Sequence, residues 1–397
     1  MNILIYSLFF SVFLLDFLHF DLRIIPRSVT WLPELLSIYT LLVIALRFAV
    51  KKEFAIQPKY IYLILVHFLT LVLGFTSNNI SPGGIFIGIR NYLKHFPFFL
   101  LPAVYNFSDE EFRKQLRFIL PLLMLQCPLA LYQRLIQYRG ILSGDPISGT
   151  LDVSSFLSIT LISSIAVVVG MYLKKKMHLS RFLIIAFCLF LPTTLNETKG
   201  TLFLLPIALV LPAFFSQESG RSKIKGLLAM SLIGIILISI FVPIYDHFTK
   251  PRWGFGVLEF FQKEDRLEKY LYSRATGRQG EELRRGDTIF LAYRNLSKNV
   301  NTLLFGLGMG NVTSSYFALF RGQNSGNEKY GANMLALINL FWETGLFGVI
   351  VYITFYFFFF IDTLLLMKND DIFGSFALGW NAVVLIICFS LIYRVYA

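Results

Sequence analysis

The chain has 397 residues, 56% of them hydrophobic and 16% aromatic, with a mean hydropathy of +0.64 and a formal charge of +12. A water-soluble fold of this length cannot bury so much apolar surface, which excludes a soluble enzyme. The Lys and Arg residues fall in short clusters between apolar runs, a pattern of membrane orientation that argues against nucleic-acid binding.

In chain order, apolar runs of about twenty residues predict an all-α polytopic integral membrane protein with about 11–12 transmembrane helices. The spans lie near 3–20, 30–50, 60–77, 85–105, 115–137, 151–173, 180–195, 201–215, 226–245, 333–360 and 373–393. The opening M-N-I-L-I-Y-S-L-F-F lacks a basic flank and a small-residue cleavage site, and so reads as a first membrane helix rather than a removable signal peptide. Basic connections at Lys51/Lys52/Lys59, Arg113/Lys114/Arg117, Lys174–Lys176 with Arg181, Arg221/Lys223/Lys225 and Lys368 fall on every second loop. They predict a cytoplasmic side shared with the N-terminus. The other loops, 21–29, 78–84, 138–150, 196–200 and the long 246–332, then face outward. Three parts follow: a bundle over 1–245, a long external loop over 246–332 with short helices, and C-terminal helices over 333–397. A twelfth span would move the C-terminus but not the long loop. Cys127, Cys188 and Cys388 each sit in an apolar run and read as small buried hydrophobes.

Several segments could carry chemistry. Arg90 and Lys94 lie four residues apart near the outer end of the fourth span. A cation there must face a cavity or a partner, and Asp16 and His19 are candidate partners at the same level. Lys199, in the turn L-N-E-T-K-G-T-L, sits at the mouth of the bundle; it is either functional or a snorkelling helix-end lysine. Trp253–Tyr272 places Val257, Phe260, Phe261, Leu267 and Leu271 on one helical face, as in a helix lying in the membrane interface or packed on the bundle.

The stretch Ser273–Asp287, S-R-A-T-G-R-Q-G-E-E-L-R-R-G-D, holds four arginines and three glycines. A salt-bridged solvated helix is one reading, since Glu281 and Arg285 are spaced i, i+4. The other is a phosphate-binding segment: guanidinium forks grip phosphate oxygens and glycine lets backbone N–H groups approach an anion. Phe305–Asn311, F-G-L-G-M-G-N, lacks the strand and helix context of a dinucleotide fingerprint and reads as a turn that approaches another backbone. Asp109–Glu111 after Ser108 forms a capping box. No external carboxylate pair has metal-ligand spacing, so neither metal nor cofactor is expected.

In this order, several of these segments resemble the O-antigen polymerase and O-antigen ligase families of bacterial inner membranes. Arg139–Gly149 (R-G-I-L-S-G-D-P-I-S-G) is similar to an Arg-Gly…Gly-x-Pro-Asn loop, and Thr198–Gly200 (T-K-G) to a Ser-Arg-Gly turn. Arg285–Ala292 (R-G-D-T-I-F-L-A) resembles Arg-x-x-x-Trp-x-x-Ala, and L-F-G-L-G-M-G resembles Pro-Leu-x-Gly-x-Gly. Ala332–Gly348 (A-N-M-L-A-L-I-N-L-F-W-E-T-G-L-F-G) resembles His-Asn-x-x-Leu…Glu-x-Gly-Leu-x-Gly, with Ala332 where the ligases carry histidine. That departure favours a polymerase over a ligase.

The resemblance implies a GT-C-like, metal-independent glycosyltransferase acting at the periplasmic face. Its substrates would be undecaprenyl-pyrophosphate-linked glycans, with membrane lipids and a chain-length regulator as further candidate partners. It implies catalytic roles for Arg285, Lys199 and Arg90, whose charge would stabilise the departing pyrophosphate. Glu343 is a candidate base at the Glu-x-Gly position, with a structural hydrogen bond as the alternative. Arg278, Arg284, Lys94, Arg139 and Asn333 would bind substrate. The rival readings are an O-antigen ligase, a transporter or flippase of lipid-linked sugars, and a non-catalytic scaffold.

Overall fold

The structure, a computed structural model, describes residues 1–78, 80–141, 143–151, 153–218, 220–271, 285–313, 315, 318–325 and 335–393. It is an all-α polytopic membrane protein: helices make up 79% of it, and no strand occurs among the described residues. Among the described residues, each of the eleven predicted spans corresponds to helix. In order they are α1 (Asn2–Asp16, continued by a π turn, Phe17–Asp21), α2 (Leu32–Lys51), α3 (Pro58–Ser77) and the broken span α4 (Pro82–Leu93) and α5 (Phe96–Val104). Next come α6 (Asp109–Met124) and α7 (Gln126–Tyr132) with a π turn at Gln133–Gln137, then α8 (Ser154–Leu173), α9 (Leu179–Leu195) and α10 (Thr201–Phe215). The series continues with α11 (Gly220–Trp253), the short helices α12 (Val257–Gln262), α13 (Glu264–Leu271), α14 (Arg285–Leu296) and α15 (Val300–Phe305), and the last spans α16 (Ala336–Leu366) and α17 (Ile372–Tyr393). Among the described residues, eight helical stretches are long and apolar enough to cross a bilayer, and α9 and α10 are shorter apolar helices.

Three predicted boundaries shift for identifiable reasons. The span expected over 85–105 is two helices, because Pro97 has no N–H with which to continue the α4 ladder and instead occupies the first turn of α5. The helix expected to end near 245 runs on to Trp253, about 51 Å in all. Its extension is held by the Thr249 hydroxyl donating to the Tyr245 carbonyl at 2.9 Å and by the Lys250–Asp246 pair at 3.3 Å. The single helix expected over 253–272 is divided at Lys263 into α12 and α13. Val257 and Phe260 of α12 are buried and Phe261 meets the Phe203 ring at 5.0 Å, so α12 packs on the bundle.

The chain forms two compact units, each assembled from separated stretches. The first comprises Met1–Pro33, Phe107–Gln262 and Phe358–Ser390. Its core fills the space among α8, α9, α10, α11 and α17, with Phe182, Phe190 and Phe241 fully enclosed. Helices α8 and α17 cross through glycine: a Cβ on Gly170 would lie 2.5 Å from the Ser375 carbonyl oxygen, and Gly379 presses likewise on Ala166. Lipid provides no hydrophobic drive between helices, so such close backbone packing is what joins them. At one end of this unit the Lys174 ammonium donates to the Asn369 carbonyl at 3.2 Å and to Asp370 at 3.0 Å. That hydrogen bond and charge hold the exposed Asp370 carboxyl below its ordinary range. The end of α8 and the α16–α17 turn thus share a side, as the alternation of basic loops requires.

The second unit comprises Glu34–Asn106, Lys263–Phe357 and Leu391–Ala397. Here α14, the glycine-rich turn after α15 and the start of α16 share a small core of Ala292, Leu296, Val312, Leu335, Ile338 and Trp342. Helix α16 is interrupted at Gly345, whose φ of +64° no other residue adopts cheaply.

Candidate functional site

In the first unit the loop 139–150 and the turn 196–200 are joined by side chains buried in the bundle. Gln126, Gln133 and Arg134 recur at i, i+7 and i+8 and so share a helical face. Gln126 accepts from the Thr150 N–H and donates to the Thr150 hydroxyl, both at 2.8 Å. Gln133 does the same with the backbone N–H and carbonyl of Gly149, again at 2.8 Å. Arg134 donates to the Ser143 carbonyl at 3.1 Å and to Glu197 at 2.8 Å, and its guanidinium lies 4.0 Å over the Phe248 ring. Burial pushes the Glu197 carboxyl above its ordinary pKa, although Arg134 and the Gly144 N–H pull the other way. Glu197 also has a positive φ, +58°, a conformation that costs a non-glycine residue about 1–2 kcal/mol.

Next to this pair, Asn196 donates to the Ser154 carbonyl at 2.8 Å, and the Ser158 hydroxyl reaches Thr198 at 2.9 Å. These bonds fix the turn that carries Lys199. The Lys199 ammonium lies 4.9 Å from the Phe260 ring centroid and 5.9 Å from that of Trp253. Aromatic faces attract a cation, so both rings help to position the ammonium.

In the second unit Arg90 is held by Glu34, with Nε at 2.9 Å and an outer nitrogen at 2.6 Å from the same carboxylate oxygen. His19, one of the candidate partners, instead has its Nδ1 within 2.9 Å of the Ile25 carbonyl in its own turn. Lys94 caps α4, and its carbonyl accepts from the Ser37 hydroxyl at 2.6 Å.

The predicted glycine turn is built against three helices of this unit. Gly306, Gly308 and Gly310 all have positive φ, between +72° and +88°. A Cβ on Gly306 would lie 2.5 Å from the Glu343 backbone of α16 and one on Gly308 2.9 Å from the Gly74 carbonyl of α3, while one on Gly310 would collide with Gly84 of α4. Asn78 donates to the Gly306 carbonyl at 3.2 Å. Glu343 closes the arrangement: it accepts from the Thr313 hydroxyl at 2.7 Å, the Val312 N–H at 3.2 Å, the Gly310 N–H and Tyr92. Of the two roles open to Glu343, this geometry fits the structural one. A carboxylate enclosed by four donors and 3% exposed fixes a turn rather than meeting a substrate hydroxyl.

No family model, curated protein or solved structure matches this chain.

The remaining predicted residues are dispersed. Arg139 is exposed on its loop, and Arg285 is the first residue of α14. Arg278, Arg284 and Asn333 lie outside the described residues. No cluster of His, Cys, Asp and Glu able to hold a metal occurs among the described residues. Arg134, Glu197 and Glu34 were not singled out from sequence. The signal for Arg134 was present, since a charge within an apolar span marks a functional or paired position. For Glu197 the only signal is its closeness to Lys199 in the turn, and for Glu34, 56 positions from Arg90, there is none.

Proposed function

We propose that the chain is a glycosyltransferase that joins undecaprenyl-pyrophosphate-linked repeat units into O-antigen or a related surface polysaccharide, at the periplasmic face of a bacterial inner membrane. One observation carries this reading. Three successive segments that resemble the polymerase and ligase families pack together: Ala292 of R-G-D-T-I-F-L-A and Trp342 of F-W-E-T-G share one core, and Leu307 of the glycine turn packs against it. The first unit adds support, because the Arg-Gly loop and the T-K-G turn are joined there through Arg134, Gly144 and Glu197.

In the reaction, a sugar hydroxyl of one unit attacks the anomeric carbon of another. The anomeric C–O bond breaks, its electron pair leaves on the pyrophosphate, and the hydroxyl proton is released to a base. Negative charge grows on the leaving group, so fixed cations lower the barrier selectively. Lys199 and Arg285 are assigned to phosphate oxygens of the lipid-linked substrates. Arg90 is matched by Glu34 and would meet a ligand only as a pair. Arg139, exposed, would contact the glycan or headgroup from its loop.

The test is a deletion strain complemented with variants. Deletion should leave lipid A core capped by a single repeat unit, and Arg285→Ala should fail to restore the ladder. A core with no repeat unit at all would indicate the ligase, and a full ladder after deletion would exclude both.

A further inference from the structure

Helix α11 runs about two turns past its expected end, and the extension carries Lys250, Arg252 and Trp253 to the T-K-G turn. The Lys199 ammonium lies 5.9 Å, and the Arg252 guanidinium 4.7 Å, from the centroid of the Trp253 indole. The two cations are therefore no farther apart than those two lengths laid end to end. Lys250 is matched by Asp246 at 3.3 Å, and that carboxylate also accepts from the Val257 N–H at 2.8 Å. Trp253 is 48% exposed, and Arg252 is exposed beside it. Two like charges held against one accessible ring repel each other, and an anion that bridges them reverses the sign of that interaction.

A single file of rings leads away from the cations. After Gly254, whose φ is +70°, the chain turns back into α12. Trp253 meets Phe255 at 6.4 Å, and Phe261 of α12 meets Phe203 of α10 edge-on at 5.0 Å. The buried Phe260 lies behind these pairs and links them, 6.3 Å from Phe255 and 5.0 Å from Phe261. Phe255 and Phe261 are half-buried, and Phe203 is 49% exposed on the first turn of α10. Accessible aromatic surface thus continues from the cation pair to the outside of an apolar helix.

That layout fits an amphiphile with a doubly phosphorylated head and one slender tail. A diphosphate carries anionic oxygens on two adjacent phosphorus atoms, so it can engage an ammonium and a guanidinium together. A methyl-branched, unsaturated chain gains dispersion contacts along the rings, and a single file accommodates one chain rather than the two of a phospholipid.

We propose that Lys199, Arg252 and the ring file from Trp253 to Phe203 form the docking site of a polyprenyl diphosphate lipid, its head on the two cations and its tail leaving along the rings into the bilayer. The site deepens the glycosyltransferase reading and rests on it for its biological role, but lipid binding is measurable without any glycan.

The full chain, in phosphatidylcholine nanodiscs, is titrated with radiolabelled farnesyl diphosphate, a short and soluble member of the class. Binding should saturate. Inorganic pyrophosphate and farnesol, each carrying half of the ligand, should compete only weakly, and phosphatidylglycerol added to the disc should not compete. Arg252→Gln should weaken binding at least about tenfold through lost charge-assisted hydrogen bonds. Phe203→Ala should weaken farnesyl diphosphate about threefold or more and leave inorganic pyrophosphate unaffected. Both side chains are exposed, so melting temperatures should hold; should one variant fail to fold, the other decides. The proposal is overturned if nothing saturates, if binding survives both substitutions, or if inorganic pyrophosphate binds as tightly as farnesyl diphosphate. Equal competition by phosphatidylglycerol would also overturn it and make the cations a general phospholipid anchor. Specific binding by a chain that makes no polymer in cells would refute the polymerase and leave the lipid site; unaltered polymer from an Arg252→Gln chain that no longer binds would do the reverse.

Discussion

Arg134 and Glu197 meet at 2.8 Å with their side chains only 4% and 9% exposed, joining the end of the α7 segment to the α9–α10 turn. A buried pair of this kind adds little net stability over an apolar replacement, but removal of one partner leaves a charge without compensation. Arg134→Met and Glu197→Leu should each destabilise the protein by about 3–5 kcal/mol, and the double variant Arg134→Met/Glu197→Leu should recover most of the loss. Thermal unfolding in detergent, arranged as a double-mutant cycle, measures the coupling. Additive losses would show that the pair does not act as a unit.

The same pair gives a pH dependence of definite sign. The folded chain holds the Glu197 proton more tightly than the unfolded chain, because burial raises its pKa. Its contribution to stability is therefore complete below the ordinary carboxylate pKa and is lost as the pH rises through the raised one. Melting temperatures taken from about pH 4 to pH 8 should contain a declining component that Glu197→Gln removes. An unchanged profile in that variant would contradict the assignment.

Glu343 acts through the glycine turn. Glu343→Ala removes the acceptor of four donors, two of them only half-buried, at about 1–3 kcal/mol for each buried one, and should lower stability and polymer output together. Glu343→Gln keeps one acceptor oxygen and should fall between. Full stability with no product in Glu343→Gln would instead mark the residue as a catalytic base.

The glycines of the turn admit no side chains. Gly310→Ala should cost more than about 3 kcal/mol, because positive-φ strain adds to a collision with Gly84. Gly220→Ala is the control: it shares a positive φ, +59°, but faces open space, and should cost only about 1–2 kcal/mol.

Lys199 tests the electrostatic mechanism. Lys199→Ala should reduce polymer formation by about a hundredfold or more with little change in melting temperature, and Lys199→Arg should retain part of it. Equal loss of both properties would assign the lysine to the fold.

Sidedness is open to cysteine labelling in a background with Cys127, Cys188 and Cys388 replaced by Ala. Arg139→Cys and Asp145→Cys should react with an impermeant maleimide in intact cells, and Lys176→Cys and Asn369→Cys only after permeabilisation. All four positions are exposed.

The helices are legible because apolar period and length alone specify a membrane span, whereas the break before α5 at Pro97 lies inside a run that satisfies the same criterion and reads as one span. The turn Phe305–Asn311 was legible for a similar reason: alternating glycines have few uses besides close approach and positive φ. The partners were not. Nothing in the local pattern joins Arg90 to Glu34 across 56 positions, or the Gln126–Gln133–Arg134 face to one loop and one turn. Such pairings depend on how helices pack, and the chain writes no period for them. Lys199 stands out because it lies in a turn, whereas Arg134 is hidden inside a run that satisfies the span criterion.

The glycine turn also bears on the order of assembly. It docks on α3 and α4, made early, and on α16, made near the end, with Asn78 and Gly306 separated by 228 positions. During synthesis the glycine face of α4 is inserted long before the backbone that covers it exists. The second unit can therefore close only once most of the chain is in the membrane, so truncations before α16 should leave a protein that is inserted yet unfinished.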